Sequence, residues 1–178
     1  MLFIETPANP TIKLTDLEGS GRIAREIGAV MVVDNTFSSP LLQQPFRFGA
    51  DVVVHSMTKY LNGHSDVVAG VIVSRNVDIH AQIRSTLQTL GGTMDPHQAW
   101  LVLRGLRTLA VSLGGIETLI EHPASMTHAG IAREERLASG ITDDLVRIGV
   151  GCENWEDLRD DLAQAMEKVS AKAAVRAD

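Results

Sequence analysis

A chain of 178 residues, 44% hydrophobic and 4% aromatic, is long enough for one domain with a real core, or for one and a half. Its net charge of −6 and lack of any basic cluster argue against nucleic acid or an anionic membrane surface as partner. The lone Cys152 excludes an internal disulfide and suits a reducing compartment, and no stretch approaches the roughly eighteen apolar residues of a membrane span. The N-terminus has no charged segment followed by a long apolar one, so a cytoplasmic location is expected.

In chain order, Leu2 to Ile4 reads as a short strand, and Thr6-Pro7-Ala8-Asn9-Pro10 as a loop because two prolines forbid regular structure. Leu14, Leu17, Ala24 and Ile27 recur at helical spacing, with Asp16 as cap and Gly28 as stop. A strand over Val30, Met31, Val32 and Val33 then runs into Asp34, so residues 1 to 34 form a strand-helix-strand unit with a right-handed crossover. A second short β-branched run, Asp51-Val52-Val53-Val54, leads into His55-Ser56. Such runs suit strands buried on both faces of a parallel sheet, whose carboxyl ends line the ligand crevice.

After Asn62-Gly63, a turn signal, Val67 to Val73 has strand character. Ile79, Ile83, Leu87 and Leu90 make the next helical face, ended by Gly91-Gly92, and a further helix starts near Asp95-Pro96 and runs through Trp100 to about Leu106. Beyond residue 110 the pattern predicts a strand over Ala110–Leu113, short helices over Ile116–Glu121 and Ile131–Ala138, and a strand over Leu145–Val150. A last helix carries Trp155, Leu158, Leu162, Met166 and Val169 on one face, with acids toward its start and a fraying tail after Lys168.

The chemistry concentrates between Asp34 and Lys59. A lysine amine forms a Schiff base with an aldehyde, and Lys59 is the candidate nucleophile. Pyridoxal phosphate serves as an electron sink while its ring nitrogen stays protonated, which calls for an acid facing that nitrogen; Asp34 suits that role. Its phosphate needs donors, and Ser56 and Thr58 are hydroxyls in the right place, beside backbone amides expected to be free. Taken singly, an Asp after a strand is usually a turn residue and a Lys after one is usually solvated. The combination carries the argument.

The run Val33-Asp34-Asn35-Thr36-Phe37-Ser38-Ser39-Pro40, followed by Gly49-Ala50-Asp51-Val52-Val53-Val54-His55-Ser56-Met57-Thr58-Lys59-Tyr60-Leu61-Asn62-Gly63-His64, resembles the signature of the pyridoxal-phosphate enzymes of cysteine and methionine metabolism, the transsulfuration family. Ala110-Val111-Ser112-Leu113-Gly114-Gly115, His122-Pro123-Ala124-Ser125-Met126-Thr127-His128 and Leu145-Val146-Arg147-Ile148-Gly149-Val150-Gly151 are similar to that family's small domain. The resemblance implies an α/β fold, part of the type I, aspartate aminotransferase-like transferase fold: an incomplete, mostly parallel mixed sheet plus part of a small C-terminal α/β domain. It places the end of the large domain at residues 1–109 and a small-domain remnant at 110–178.

Carried over by position, the resemblance implies that Arg147 binds the substrate α-carboxylate, for which a guanidinium fork is suited, with Ser112 nearby and Asn9 touching the cofactor's ring oxygen. The implied reaction is elimination or replacement at the γ carbon of a sulfur amino acid such as methionine, cystathionine or an O-acylhomoserine. Leu90-Gly91-Gly92-Thr93-Met94-Asp95-Pro96-His97 leans toward the γ-lyases. In the family such enzymes are homo-oligomers.

Departures from the pattern matter too. Family members are more than twice this length, and the tyrosine that stacks on the ring, the glycine-led phosphate loop and an N-terminal arm have no counterpart here. A second gap falls near Thr108-Leu109-Ala110, as an internal deletion would leave. Missing strands should expose edges and apolar surface, with poor solubility or assembly with another chain as the consequence. A remnant that binds nothing, or acts only through association, is therefore an alternative.

Two other readings have hooks in the sequence. Gly19-Ser20-Gly21-Arg22-Ile23-Ala24 fits the dinucleotide fingerprint, but it sits inside a helical pattern and nearer Asp34 than the spacing of about twenty residues the fingerprint uses. Ser56-Met57-Thr58-Lys59 fits the S-x-x-K of serine hydrolases, but no Lys-Thr-Gly follows. His122 and His128 lack the partners of a metal site and are expected to bond locally; no metal is expected.

Overall fold

The computed structural model describes residues 1–106, 118–151 and 153–175. β1 (Leu2–Glu5), β2 (Met31–Asp34) and β3 (Val52–Ser56) pair in parallel, and β4 (Gly70–Ser74) closes the row antiparallel to β3, in the order β1-β2-β3-β4. The mostly parallel mixed sheet matches the sequence expectation. So does the helix α1 (Leu17–Glu26) that joins β1 to β2.

α1 begins where Asp16 accepts the Gly19 N–H and ends at Gly28, whose φ of 63° is a left-handed conformation that glycine adopts without strain. Its apolar face buries Leu17 and Ala24 against Ile4, Met31, Val33, Ala50 and Val53. That cluster fixes which sheet face is which. Met31, Val33 and Val53 point toward α1, so by the two-residue alternation Val32, Asp34, Val54 and Ser56 occupy the other face. Asp51 ties the strands from below by accepting the Met31 N–H at 2.8 Å.

On the Asp34 face the sheet is partnered by α2 (Val77–Leu90), capped by Asn76 at one end and by left-handed Gly91 at the other. The predicted face of Ile79, Ile83, Leu87 and Leu90 is real, yet no residue of α2 is buried. The helix instead walls an open groove of about 1350 Å³, lined in part by Asp34, Val54, Ser56, Ile72, Ile83 and Leu87. Exposed Phe3, Ile72 and Val73 lie on the two edge strands.

A second cluster of Met57, Val67 and Val102, with Leu61, Ala69 and Leu101 around it, packs α3 (Pro96–Gly105) beneath the turn that follows β3. α3 starts as expected, with Asp95 accepting the His97 and Gln98 N–H groups. β4 is shorter than the predicted Val67–Val73 strand because Val67 is drawn into this cluster and Ala69 bonds to Thr58 before the ladder begins.

The C-terminal part contains β5 (Leu119–Glu121), α4 (Arg133–Ala138), β6 (Arg147–Gly149) and α5 (Trp155–Val175), with β5 and β6 antiparallel. Residues 119–121 are a strand where a helix over Ile116–Glu121 was expected. So short an apolar run carries no periodicity of its own, and the Glu121–Arg147 pairing across the ladder decides it. α5 continues to Val175 rather than fraying after Lys168, consistent with its alanine-rich end. The strand predicted over Ala110–Leu113 lies outside the described residues, as does Ser112. No helix among the described residues is long and apolar enough to cross a membrane.

Candidate active site

The parallel pairing of β2 with β3 brings Asp34 level with Val54, so Ser56 and the turn carrying Lys59 emerge at the same end of the sheet. Asp34 is half-buried, and its Oδ1 accepts two hydrogen bonds from Thr36: the N–H at 3.0 Å and the hydroxyl at 2.6 Å. The same Thr36 hydroxyl accepts the Ser56 N–H at 2.8 Å. Thr36 is therefore the hub that fixes Asp34 relative to β3. The sequence reading passed over it, and the signal was there: a threonine two residues after a strand-ending acid closes a local side-chain turn.

Oδ2 of Asp34 makes no hydrogen bond with the described residues, so one lone-pair-bearing oxygen faces outward from a fixed carboxylate. The Ser56 hydroxyl is likewise without a partner among them. Thr58 differs. Its Oγ1 accepts the Ala69 N–H at 3.0 Å and lies 3.3 Å from the Ala69 carbonyl, the weaker link and the one whose proton a better acceptor could take. The expectation of free backbone amides beside these hydroxyls is corrected: Ser56 N–H goes to Thr36, Thr58 N–H to Ala69 and Lys59 N–H to the Ser56 carbonyl.

Lys59 is exposed, and its amine makes no ion pair or hydrogen bond with the described residues. Its turn is nonetheless fixed. Met57 and Leu61 on either side are packed in the second cluster, and the Lys59 carbonyl accepts the Asn62 and Gly63 N–H groups at 3.2 and 2.8 Å. His55, buried between these elements, has its pKa pushed below the ordinary 6.5 by desolvation, against a smaller raising effect of the Asp34 charge.

Over the same turn lies Arg147, from β6. Its Nη2 is 2.9 Å from Glu121 Oε2, its Nη1 donates to Asn9 Oδ1, and its guanidinium carbon is 6.0 Å from the Phe37 ring centre. The side chain is only 9% exposed, so Arg147 is not an ordinary solvated strand residue. Phe37 meets Tyr60 edge-on at 6.2 Å. Burial raises the Tyr60 pKa and the Arg147 charge lowers it, the first effect being the larger. Because arginine only donates, the Asn9 atom facing it must be the amide oxygen, which leaves the Asn9 NH₂ free to donate elsewhere.

The donor set fits pyridoxal phosphate. A fixed carboxylate with one open oxygen can accept from a pyridinium N–H, an outward amide NH₂ can donate to a ring oxygen, and the Ser56 hydroxyl can donate to a phosphate. Lys59 supplies an amine without a partner among the described residues, on the turn that follows β3. The other readings lose their footing here. Gly19 to Ala24 lie within α1, away from any strand-to-helix phosphate turn. His122 is satisfied by Ser125 Oγ and the Asp143 carbonyl, and His128 by Thr127, as expected of local bonding. Among the described residues no group of His, Cys, Asp and Glu could hold a metal.

Comparison with known proteins shows the family. The family model for Cys/Met metabolism PLP-dependent enzymes matches residues 1–111 and 108–167. The chain is 35% identical to the cystathionine gamma-lyase of Bacillus subtilis, covering 94% of this chain and 64% of that one. It is 34% identical to the L-methionine gamma-lyase of Fusobacterium nucleatum subsp. polymorphum, covering 95% and 62%. The crystal structure of cystathionine gamma synthase from Xanthomonas oryzae pv. oryzae, in complex with aminoacrylate and cysteine, superposes with a TM-score of 0.90 at 36% identity, covering 95% and 63%. This chain belongs to the family of pyridoxal-phosphate-dependent enzymes of cysteine and methionine metabolism. It spans just under two thirds of the length of these relatives. The alignment to the first of them runs over 242 positions, more than the 178 residues available, so that relative has residues inside the matched span with no counterpart here. The two family-model matches meet at residues 108–111, where the sequence reading placed a gap.

Proposed function

We propose that this chain is a pyridoxal-phosphate-dependent enzyme of sulfur amino-acid metabolism, catalysing γ-elimination or γ-replacement on a substrate such as methionine, cystathionine or an O-acylhomoserine. The observation that carries it is the Thr36-locked Asp34 carboxylate, with one oxygen open, at the sheet end from which the uncommitted Lys59 amine emerges. Bound pyridoxal phosphate would supply an electron sink for charge developing at the substrate's α carbon. Lys59 would hold the cofactor through its amine and would move protons at the substrate's α and β carbons. Asp34 holds the ring-nitrogen proton, Asn9 orients the ring oxygen, and Ser56 and Thr58 donate to the phosphate. Arg147 holds the α-carboxylate, and Ser112 is assigned to the substrate by the family resemblance alone. Residues 1–109 belong to the cofactor-binding domain and 110–178 to the smaller one in this reading, and a reducing, cytoplasmic setting suits a lone cysteine.

The stretch that a relative carries and this chain lacks favours a second reading, in which the site is completed only by assembly with another chain, a second copy being the simplest. One measurement separates the possibilities. Addition of pyridoxal phosphate to the purified protein should give a visible absorption band that Lys59→Ala abolishes. A band in both proteins, or in neither at any protein concentration, would overturn the proposal, and a band that appears only as concentration rises supports the assembly-dependent form.

A further inference from the structure

We propose that Glu121 is an internal counter-ion that occupies Arg147 and that an incoming amino-acid carboxylate must displace, so that Glu121 sets how tightly this site holds a carboxylate. The inference rests on the assignment of Arg147 as the carboxylate holder and goes beyond it in naming what stands in the way.

Glu121 and Arg147 are direct partners across the β5–β6 ladder, so their side chains emerge on one face of it. The pair is 2.9 Å apart with the two side chains 9% and 14% exposed, well withdrawn from water. Two of the five Arg147 N–H donors are engaged, Nη2 on Glu121 and Nη1 on Asn9, and Nε is buried without a partner among the described residues. A carboxylate that forks onto Nη1 and Nη2 therefore competes with Asn9 and Glu121. Exchange with Glu121 is carboxylate for carboxylate and preserves the charge balance, whereas displacing Asn9 would crowd two anions on one cation. Glu121 has somewhere to go: its other oxygen, Oε1, already accepts from the Thr127 hydroxyl at 3.3 Å, and Thr127 is itself exposed.

Tyr60, the only tyrosine in the chain, reports on this arrangement without any ligand, because the Arg147 charge acts on its phenol. The experiment compares the full-length chain with Glu121→Gln, reading two quantities: the spectrophotometric titration of Tyr60, and calorimetric binding of 4-(methylthio)butanoate, which is methionine without its amine and so cannot react. In Glu121→Gln the unmasked Arg147 should lower the Tyr60 pKa and tighten the probe by on the order of tenfold. Arg147→Gln should raise the Tyr60 pKa and abolish probe binding. Thr127→Val, which loosens Glu121 and also removes the hydroxyl partner of His128, should move both readings in the direction of Glu121→Gln by less, and substitutes for it if that variant fails to fold. Unchanged or weaker probe binding in Glu121→Gln, or in Thr127→Val in its place, would overturn the proposal. The outcome is independent of the Lys59→Ala test: cofactor attachment with no tightening sinks Glu121 alone, and tightening without cofactor attachment sinks the enzymatic reading alone.

Discussion

The Thr36 hydroxyl donates to Asp34 Oδ1 at 2.6 Å while accepting the Ser56 N–H at 2.8 Å, so one side chain sets the acid of β2 relative to the end of β3. Thr36→Val keeps the shape and removes both bonds. A hydrogen bond to a charged group contributes about 1.5–3 kcal/mol, so pyridoxal phosphate should bind roughly 10- to 100-fold more weakly, by titration of the visible band. The far-ultraviolet circular dichroism should be unchanged, because the core on the α1 side does not touch Thr36. Unaltered affinity would remove Thr36 as the residue that positions the acid.

His55 gives the pH dependence a sign. Its pKa is lowered in the folded chain, chiefly by burial, so between the folded value and the ordinary 6.5 the unfolded chain binds more protons than the folded one. Stability is then complete above 6.5 and declines as pH falls through that value toward the folded pKa. A melting-temperature series at falling pH should show this decline, and His55→Gln should flatten it. Asp34 opposes the shift, so Asp34→Asn should push the decline further toward acid.

How much of this could be read in the sequence differs from residue to residue. Asp16, Asp95, Gly28 and Gly91 announced the ends of helices because capping and left-handed turns are local chemistry, settled within a few residues. Asp34 and Lys59 stood out for the same reason, each at the end of a β-branched run. The turn between Thr36 and Asp34 is local and legible, but the bond from Thr36 to Ser56, twenty positions on, was hidden, as was Glu121, whose partner Arg147 is across a ladder between two three-residue strands. Strands that short carry no period. The commitment of the Ser56, Thr58 and Lys59 amides was equally invisible, since it depends on where Thr36 and Ala69 come to rest.

The uncovered apolar surface predicts association. Among the described residues β1 and β4 each have one unpaired edge, with Phe3, Ile72 and Val73 exposed on them, and α2 offers Leu87 and Leu90 across an open groove. Size-exclusion chromatography at micromolar concentration should give a species larger than the 19.2 kDa monomer. Val73→Lys, a charge on an edge strand, should shift it toward the monomer. A wild-type monomer with one cooperative melt would contradict this.

Gly105 holds the Lys59 turn from below. A Cβ there would lie 2.0 Å from the Asn62 carbonyl oxygen and 2.7 Å from its carbon, both backbone atoms that have no rotamer to yield. Asn62 is fully enclosed, donates its N–H to the Lys59 carbonyl and anchors Asp66 through a 2.6 Å bond, so α3 and the turn cannot separate without disturbing all three. Overpacking of this kind costs about 1–3 kcal/mol. Gly105→Ala should lower the melting temperature and also weaken cofactor attachment, because the strain is delivered to the segment that carries the amine. Met31→Ala supplies the contrast. It empties part of the core on the opposite sheet face at a cost of roughly 2–5 kcal/mol, yet at temperatures where the protein stays folded it should leave attachment nearly intact. Equal loss of attachment in the two variants would mean that Gly105 acts through general stability and not through the turn.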